Sequence, residues 1–184
     1  MLITFIRHSK ATFLHDKPIT SWGLTDEGIQ LAKNLIKTDE IRRINVIYSS
    51  LETKALETAE IINQSAGLKV ITNKDFCEVT SFSNKVFPEF DKYAQDFFND
   101  KVDRWNNGES KLEALARFNK ALNEVIQTET KLGHANIGIV THGSILTLFI
   151  AQYQNSDLWE LHKSIKSPDI IIFDASKLAF TRHI

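Results

Sequence analysis

Leu2-Ile3-Thr4-Phe5-Ile6, followed at once by Arg7-His8-Ser9, decides how the rest of the sequence is read. The run has strand length and lacks apolar–polar alternation, which suits a strand buried on both faces of a parallel sheet. The pattern returns downstream. Val46 to Tyr48 is followed by Ser49-Ser50, and Ile137 to Val140 by Thr141-His142-Gly143; Ile170 to Phe173 is a further run and Leu68 to Ile71 a weaker one. Helical patterns fill the gaps. Within Leu24 to Ile36, Ile29, Ala32, Leu35 and Ile36 share one face, Thr25 is placed to cap, and Asp26 and Glu27 fall in the first turn. Leu51, Ala55, Ala59 and Ile62 repeat at helical spacing in Leu51 to Ile62. Strand alternating with helix predicts an α/β fold: a three-layer sandwich with a mostly parallel central sheet flanked by helices. The end of the chain, Ile170 to Phe180, reads as a C-terminal hairpin.

The middle of the sequence is more helical. Pro88 can open a helix carrying Phe90, Ala94, Phe97 and Phe98, and Ser110 with Glu113 forms a capping box before Leu115, Leu122 and Val125. Gly133 is a natural stop, and Ser144 is placed to cap an apolar helix running to Tyr153. The 184 residues suit one domain, and 42% hydrophobic with 24% charged residues is an ordinary folded composition. Lys plus Arg at 22 against Asp plus Glu at 23 gives a net charge of -1, so no global basic field exists to hold nucleic acid or an anionic membrane. The single cysteine, Cys77, cannot form an intramolecular disulfide or a cysteine-built zinc site, which fits a reducing, cytoplasmic setting. Leu2 to Ile6 is too short for a secretory h-region, and no apolar run approaches the ~18 residues of a membrane span.

In an open parallel sheet, ligands bind beyond the carboxyl ends of the strands. Those positions hold Arg7-His8-Ser9, Ser49-Ser50 and Thr141-His142-Gly143. Two histidines, an arginine, hydroxyls and helix amino termini at one edge describe a site for a phosphate-like anion. A second Arg-His pair, Arg182-His183, has no helix after it and is expected to be solvated.

These residues resemble the histidine phosphatase superfamily, the phosphoglycerate mutase-like proteins, over nearly the whole chain. Ile3 to Ala11 resembles the opening strand and its Arg-His-Gly motif, and Leu24-Thr25-Asp26-Glu27-Gly28 the Leu-Thr-x-x-Gly helix start. Tyr48 to Ala59 is similar to the Ser-Ser-x-x-x-Arg-Ala-x-x-Thr-Ala segment. Phe76-Cys77-Glu78 resembles the segment holding the acid, Gly108-Glu109-Ser110 a helix start, and Val140 to Gly143 the second histidine motif. The resemblance implies a short phosphatase-type member that works through phosphohistidine. His8 would attack phosphorus; Arg7, Ser9, Lys54, His142 and Gly143 would bind the phosphoryl group; Glu78 would protonate the leaving oxygen, and no metal or cofactor is called for. An acid working near neutral pH needs a raised pKa, so Glu78 is expected to be partly buried beside another anion. Cys77, next to it, would alternate to the opposite face as a buried spacer.

The sequence departs from the family pattern at Lys54, where arginine is usual, and at Ser9, where glycine is usual. A lysine offers one point charge and no planar fork, which weakens phosphate binding unless another cation fills in. The asparagine-bearing loop of the mutases is not evident in Thr12 to Asp16, which, with the short chain, argues against a mutase. Residues 79–108 are expected to cap the pocket of a single 1–184 domain, with Phe82, Phe87, Phe90, Tyr93, Phe97 and Phe98 mostly as core and Lys85 or Lys92 as a candidate for a second anionic group. His15 and His162 are expected at the surface, His15 near the pocket mouth. The expected activity is phosphatase action on a small phosphorylated metabolite. Its alternatives are a phosphoprotein phosphatase, a phospho-ligand binding module without catalysis, and phosphoglycerate mutase. The oligomeric state is left open.

Overall fold

The computed structural model describes residues 1–14, 16–82 and 89–183, with side chains through Phe180. The expectations for His15, Lys85, Phe87 and Pro88 lie outside these residues. In chain order the elements are β1 (Leu2–Arg7), α1 (Asp26–Leu35), α2 (Asp39–Arg42), β2 (Val46–Ser49), α3 (Thr53–Ala66), β3 (Val70–Thr72) and α4 (Phe90–Phe98). They continue with α5 (Lys111–Lys131), β4 (Asn136–Thr141), α6 (Gly143–Ala151), α7 (Leu158–Ser164), β5 (Asp169–Asp174) and β6 (Ala179–His183). The strands form one sheet in the order β3-β2-β4-β1-β5-β6. The first four are mutually parallel, and β5 and β6 add an antiparallel edge. The mostly parallel α/β sandwich with a terminal hairpin is therefore observed. The Arg182-His183 pair belongs to the edge strand β6, where residue 182 faces Ile172 in register.

Alternation along β1 sends its side chains into two separate cores. Ile3 and Phe5 join the cluster that packs α4, α5 and α6, whereas Ile6 joins Ile47, Val140 and the α3 residues Ala55, Ala59 and Ile62. On the first face the Phe5 ring lies 5.0 Å from that of Phe149, 5.9 Å from Phe118 and 6.5 Å from Phe173. Burial of each such ring contributes about 1.5–3 kcal/mol. A helix buried on every side needs no amphipathic pattern, and α6 is of this kind, with Gly143 through Ile150 all buried. It offers no exposed apolar face to a partner.

Local chemistry fixes the ends. The Gly28 N–H donates to Thr25 Oγ1 at 2.9 Å, and the predicted capping box of α5 closes as Glu113 N–H to Ser110 Oγ (3.2 Å) and Ser110 N–H to Glu113 Oε2 (2.9 Å). The helix before Gly133 ends there as its φ turns to +78°. The predicted Ser144 cap is corrected: His142 is the N-cap, and α6 stops at Ala151. The chain turns directly out of β4, so Ser144 is already inside the first turn. Two helices were not foreseen. α2 has four residues, too few to show a period, while α7 is capped by Asp157, which accepts from the Glu160 N–H at 2.8 Å. Among the described residues no helix is long and apolar enough to cross a membrane.

Candidate active site

Parallel register lines up the ends of β1, β2 and β4: Arg7 pairs with Thr141, and Ser49 with Val140. Ser49 is also level with Thr72 at the end of β3, so the chain leaving β3 delivers Phe76-Cys77-Glu78 to the same edge. There it is tied down, because the Thr141 hydroxyl donates to the Phe76 carbonyl at 2.7 Å.

His8 and His142 face each other across this edge, with ring centroids 5.1 Å apart. His8 Nδ1 is 2.8 Å from the Ser9 carbonyl, an acceptor only, so Nδ1 carries the hydrogen and Nε2 keeps its lone pair. Burial, then His142 and the Lys54 charge, hold the His8 imidazole well below its ordinary pKa of 6.5, so it stays neutral. Arg7 runs beneath α6 and donates one Nη to the Ile165 carbonyl. A Cβ at Gly143 would stand 2.9 Å from Arg7 Cζ, which is why glycine occupies that position. Two buried nitrogens, Arg7 Nε and His142 Nδ1, have no hydrogen-bond partner among the described residues. Buried polar atoms are seldom left in that state without a ligand to satisfy them.

Glu52, which the sequence reading missed, ties the remaining groups together. It is 6% exposed at the N-cap of α3. Its Oε2 accepts from Lys54 Nζ at 2.5 Å; its Oε1 accepts the Glu78 N–H at 2.9 Å and lies 3.3 Å from His142 Nε2. Ser50 Oγ is 2.8 Å from the same Nε2. The Lys54 ammonium also donates to the Ile19 carbonyl at 3.1 Å and is 4% exposed, so it reaches the site already paired. The signal was a carboxylate two residues before the expected phosphate-binding cation, both at a helix start.

The half-buried Glu78 carboxyl accepts from Ser144 N–H (3.0 Å, Oε2) and from Ile145 and Val79 N–H (2.9 Å each, Oε1). The amino terminus of α6 thus serves this carboxyl, where the sequence suggested direct service to an anion. Burial raises the Glu78 pKa above 4.5 and the Glu52 charge adds to it, against the three N–H bonds. Burial is the larger cause, with the neighbouring anion second. Arg117 of α5, a second residue that went unnoticed, pairs with Glu109 (2.8 Å) and donates to the carbonyls of Asp75, Cys77 and Glu78, so it fixes the segment carrying the acid.

Arg7, His8, Glu52, Lys54 and Glu78 line one pocket of about 360 Å³. Ser9 does not line it. Its hydroxyl donates to the Gly28 carbonyl at 2.7 Å and its N–H to Thr58 Oγ1 at 3.0 Å, so it locks β1 to α1 and α3. Cys77 is corrected too: it is only half-buried and lines the pocket, while burial pushes its thiol up to about 11, leaving it protonated and unreactive. Of the aromatic residues, Phe97 and Phe98 are core, Phe90 lines the pocket and Phe82 is exposed. Lys92 is away from the pocket lining, 4.0 Å from Glu89. His162 is half-buried where a surface position was expected. Its ring stacks on Phe98 at 4.5 Å, and its Nδ1 sits 3.2 Å from Thr147 Oγ1, whose own hydrogen goes to the Gly143 carbonyl.

Solved structures with the same fold include a mycobacterial glucosyl-3-phosphoglycerate phosphatase in complex with VO3, with TM-score 0.76 and 15% identity, covering 100% of this chain and 96% of that one. A mutant phosphoserine phosphatase from Entamoeba histolytica in complex with phosphoserine gives TM-score 0.72 at 18% identity, covering 99% and 95%. Phosphoglycerate mutase from Bacillus anthracis gives 0.73 at 16%, covering 100% and 92%. At such identities the likeness is one of fold. No curated protein sequence matches the chain. The family model described as histidine phosphatase superfamily (branch 1), however, matches residues 3–177, a span that contains both histidine motifs and the acid segment. On that match, this chain belongs to branch 1 of the histidine phosphatase superfamily.

Proposed function

We propose that the protein is a phosphomonoester phosphatase that acts on a small phosphorylated metabolite through a phosphohistidine on His8. One observation carries the reading: an imidazole with its Nδ1 pinned and its Nε2 free, beside two buried nitrogens that lack partners. Oxygens of a phosphoryl group would accept from Arg7 Nε and, with the Ser50 hydroxyl donating to Nε2, from His142 Nδ1, with Lys54 adding charge. Gly143 contributes by leaving room for the Arg7 guanidinium.

In the first step His8 Nε2 forms a bond to phosphorus as the ester P–O bond breaks, and the Glu78 carboxyl gives its proton to the departing oxygen. In the second step the Glu78 carboxylate takes a proton from water, the water oxygen bonds phosphorus, the P–N bond breaks and phosphate leaves. Splitting one displacement into two and fixing the donors in advance are the sources of rate. These residues need no metal for either step. The described residues of the 79–108 stretch act as the cap, a role supported by Val79, Thr80, Ser81, Phe90 and Trp105 in the pocket lining. The single cysteine, protonated at neutral pH, suits a reducing compartment such as the cytoplasm.

The test is hydrolysis of an aryl phosphate in excess chelator, comparing the wild type with His8→Ala and weighing the rapidly quenched protein. Turnover with a phosphate adduct on the wild type alone is expected. A folded protein that binds phosphate yet shows neither turnover nor adduct would be a binding module. A long-lived adduct that phosphorylates an added alcohol would mark a mutase.

A further inference from the structure

We infer that the ester taken by this site has an uncharged, largely apolar leaving group, an aryl or alkyl alcohol without a second anionic group; the inference rests on the phosphatase reading. The pocket divides by chemistry. Three of its charged lining residues are joined through Glu52, to Lys54 (2.5 Å) and to the Glu78 N–H (2.9 Å), with His142 3.3 Å from the same carboxylate, while Arg7 donates to the Ile165 carbonyl. Most of the rest of the wall is apolar, with Ala11, Ile19, Trp22, Val79, Phe90 and Trp105, joined by the Cys77 thiol and the neutral hydroxyls of Thr20, Thr80, Ser81 and Ser144. Phe90 and Trp105 meet edge to face, with centroids 5.5 Å apart, and Tyr93 packs on Trp105 at 5.9 Å, so this wall is aromatic.

A substrate with a carboxylate or second phosphate beyond the ester would need a cation to replace the water it loses. Among the described residues, the pocket lining holds two cations, Arg7 and Lys54, and both belong to the phosphoryl end. Lys54 is held by Glu52, Arg7 by the Ile165 carbonyl, and Arg117 by Glu109 and three carbonyls. Lys10 pairs with Glu27 at the surface, at 2.7 Å. Glu52 and Glu78 moreover present carboxyl groups to the pocket. With Glu52 offset by Lys54 and Glu78 protonated to act as the acid, neither group can pair with a second anion. An apolar body gains from the wall what an anion would lose there.

Binding is measured first, by titration calorimetry with phosphonates that cannot be hydrolysed. Benzylphosphonate is expected to bind the wild type at least ~10-fold more tightly than phosphonoacetate, a difference set by the unpaired carboxylate. Turnover is then compared, with benzyl phosphate expected to exceed phosphoserine and 3-phosphoglycerate in kcat/KM by a similar ~10-fold or more. Thr20→Arg adds a cation at an exposed lining position outside the catalytic set. It is expected to tighten phosphonoacetate ~5-fold while leaving inorganic phosphate within ~2-fold. Equal or tighter binding of phosphonoacetate by the wild type overturns the inference, as does binding of phosphate with neither phosphonate; both leave the phosphatase reading standing. Absence of phosphate binding overturns both.

Discussion

Replacing Glu78 by Gln removes the transferable proton and leaves the shape almost unchanged. A positioned general acid is worth about 10²–10⁴ in rate, equivalent to about 3–5 kcal/mol of barrier. That loss in kcat/KM, which reports the step in which the leaving group departs, is expected for an alkyl phosphate, whose alkoxide must be protonated as it leaves. For p-nitrophenyl phosphate, whose phenolate departs unaided, the loss should be less than ~10-fold. The variant also reports on stability. Oε1 accepts two N–H groups and Oε2 one, so the new amide can keep its oxygen toward Val79 and Ile145 only by turning its NH2 toward the Ser144 N–H, 3.0 Å away. Two opposed donors cost about 1–3 kcal/mol. The wild type carries an opposite liability: a group whose folded pKa is raised holds its proton more tightly when folded. Its stabilising contribution is complete below the ordinary value of 4.5 and is lost as pH rises through the raised value. The deficit of Glu78→Gln should therefore be largest near pH 4 and shrink toward neutrality. Steady-state kinetics on both esters, with urea unfolding across pH, reads both effects. Equal losses in kcat/KM for the two esters would refute the acid, and a deficit independent of pH would refute the raised pKa.

Lys54→Met would strand the buried Glu52 carboxylate, costing about 3–5 kcal/mol and, at about 2–4 °C per kcal/mol, lowering Tm by roughly 6–20 °C; an unchanged Tm would show that the pair is not formed. Lys54→Arg should keep the fold and, with a planar fork able to hold Glu52 and phosphate together, tighten inorganic phosphate up to ~10-fold by calorimetry. Gly143→Ala places a methyl 2.9 Å from Arg7 Cζ, and the displaced guanidinium should lower kcat/KM about 10²-fold with Tm nearly unchanged. His162 is held down to about 4, chiefly by burial, against 6.5 when unfolded. The unfolded chain therefore takes up its proton first, and stability falls as pH drops from 6.5 toward 4 with a slope of up to ~1.4 kcal/mol per pH unit. His162→Gln should remove one proton's worth of that slope, read by urea unfolding at several pH values.

The layers of the fold were legible because buried parallel strands advertise themselves as apolar runs, and Leu2 to Ile6, Val46 to Tyr48 and Ile137 to Val140 lie within observed strands. The ends of the helices were legible where a side chain caps them, as at Thr25 and Ser110, and not where a backbone turn suffices, as at His142. Residues following the strands were found for the same reason as the strands. Their partners were not, since hydrogen bonding between distant segments leaves no periodic trace. Ser9 shows the limit: its position beside His8 predicted a phosphate contact, yet a hydroxyl buried between α1 and α3 finds the Gly28 carbonyl first. His162 shows another, for its place beside Phe98 depends on how α4 meets α7, which no local pattern encodes.

Glu52 changes what the lysine at position 54 means. Taken alone, Lys54 looks like a weakened phosphate ligand, one point charge where a fork is usual. Buried beside Glu52 it is half of a pair whose net charge is near zero, so the standing positive charge of the site comes from Arg7. A carboxylate that spans Lys54, His142 and the Glu78 backbone also makes these groups answer to one another: removing any one leaves the others with an uncompensated buried partner. Double variants at positions 52 and 54 should therefore be less harmful than the sum of the single ones. A coupling energy near zero in that cycle, measured on stability, would mean that the lysine and the carboxylate act independently.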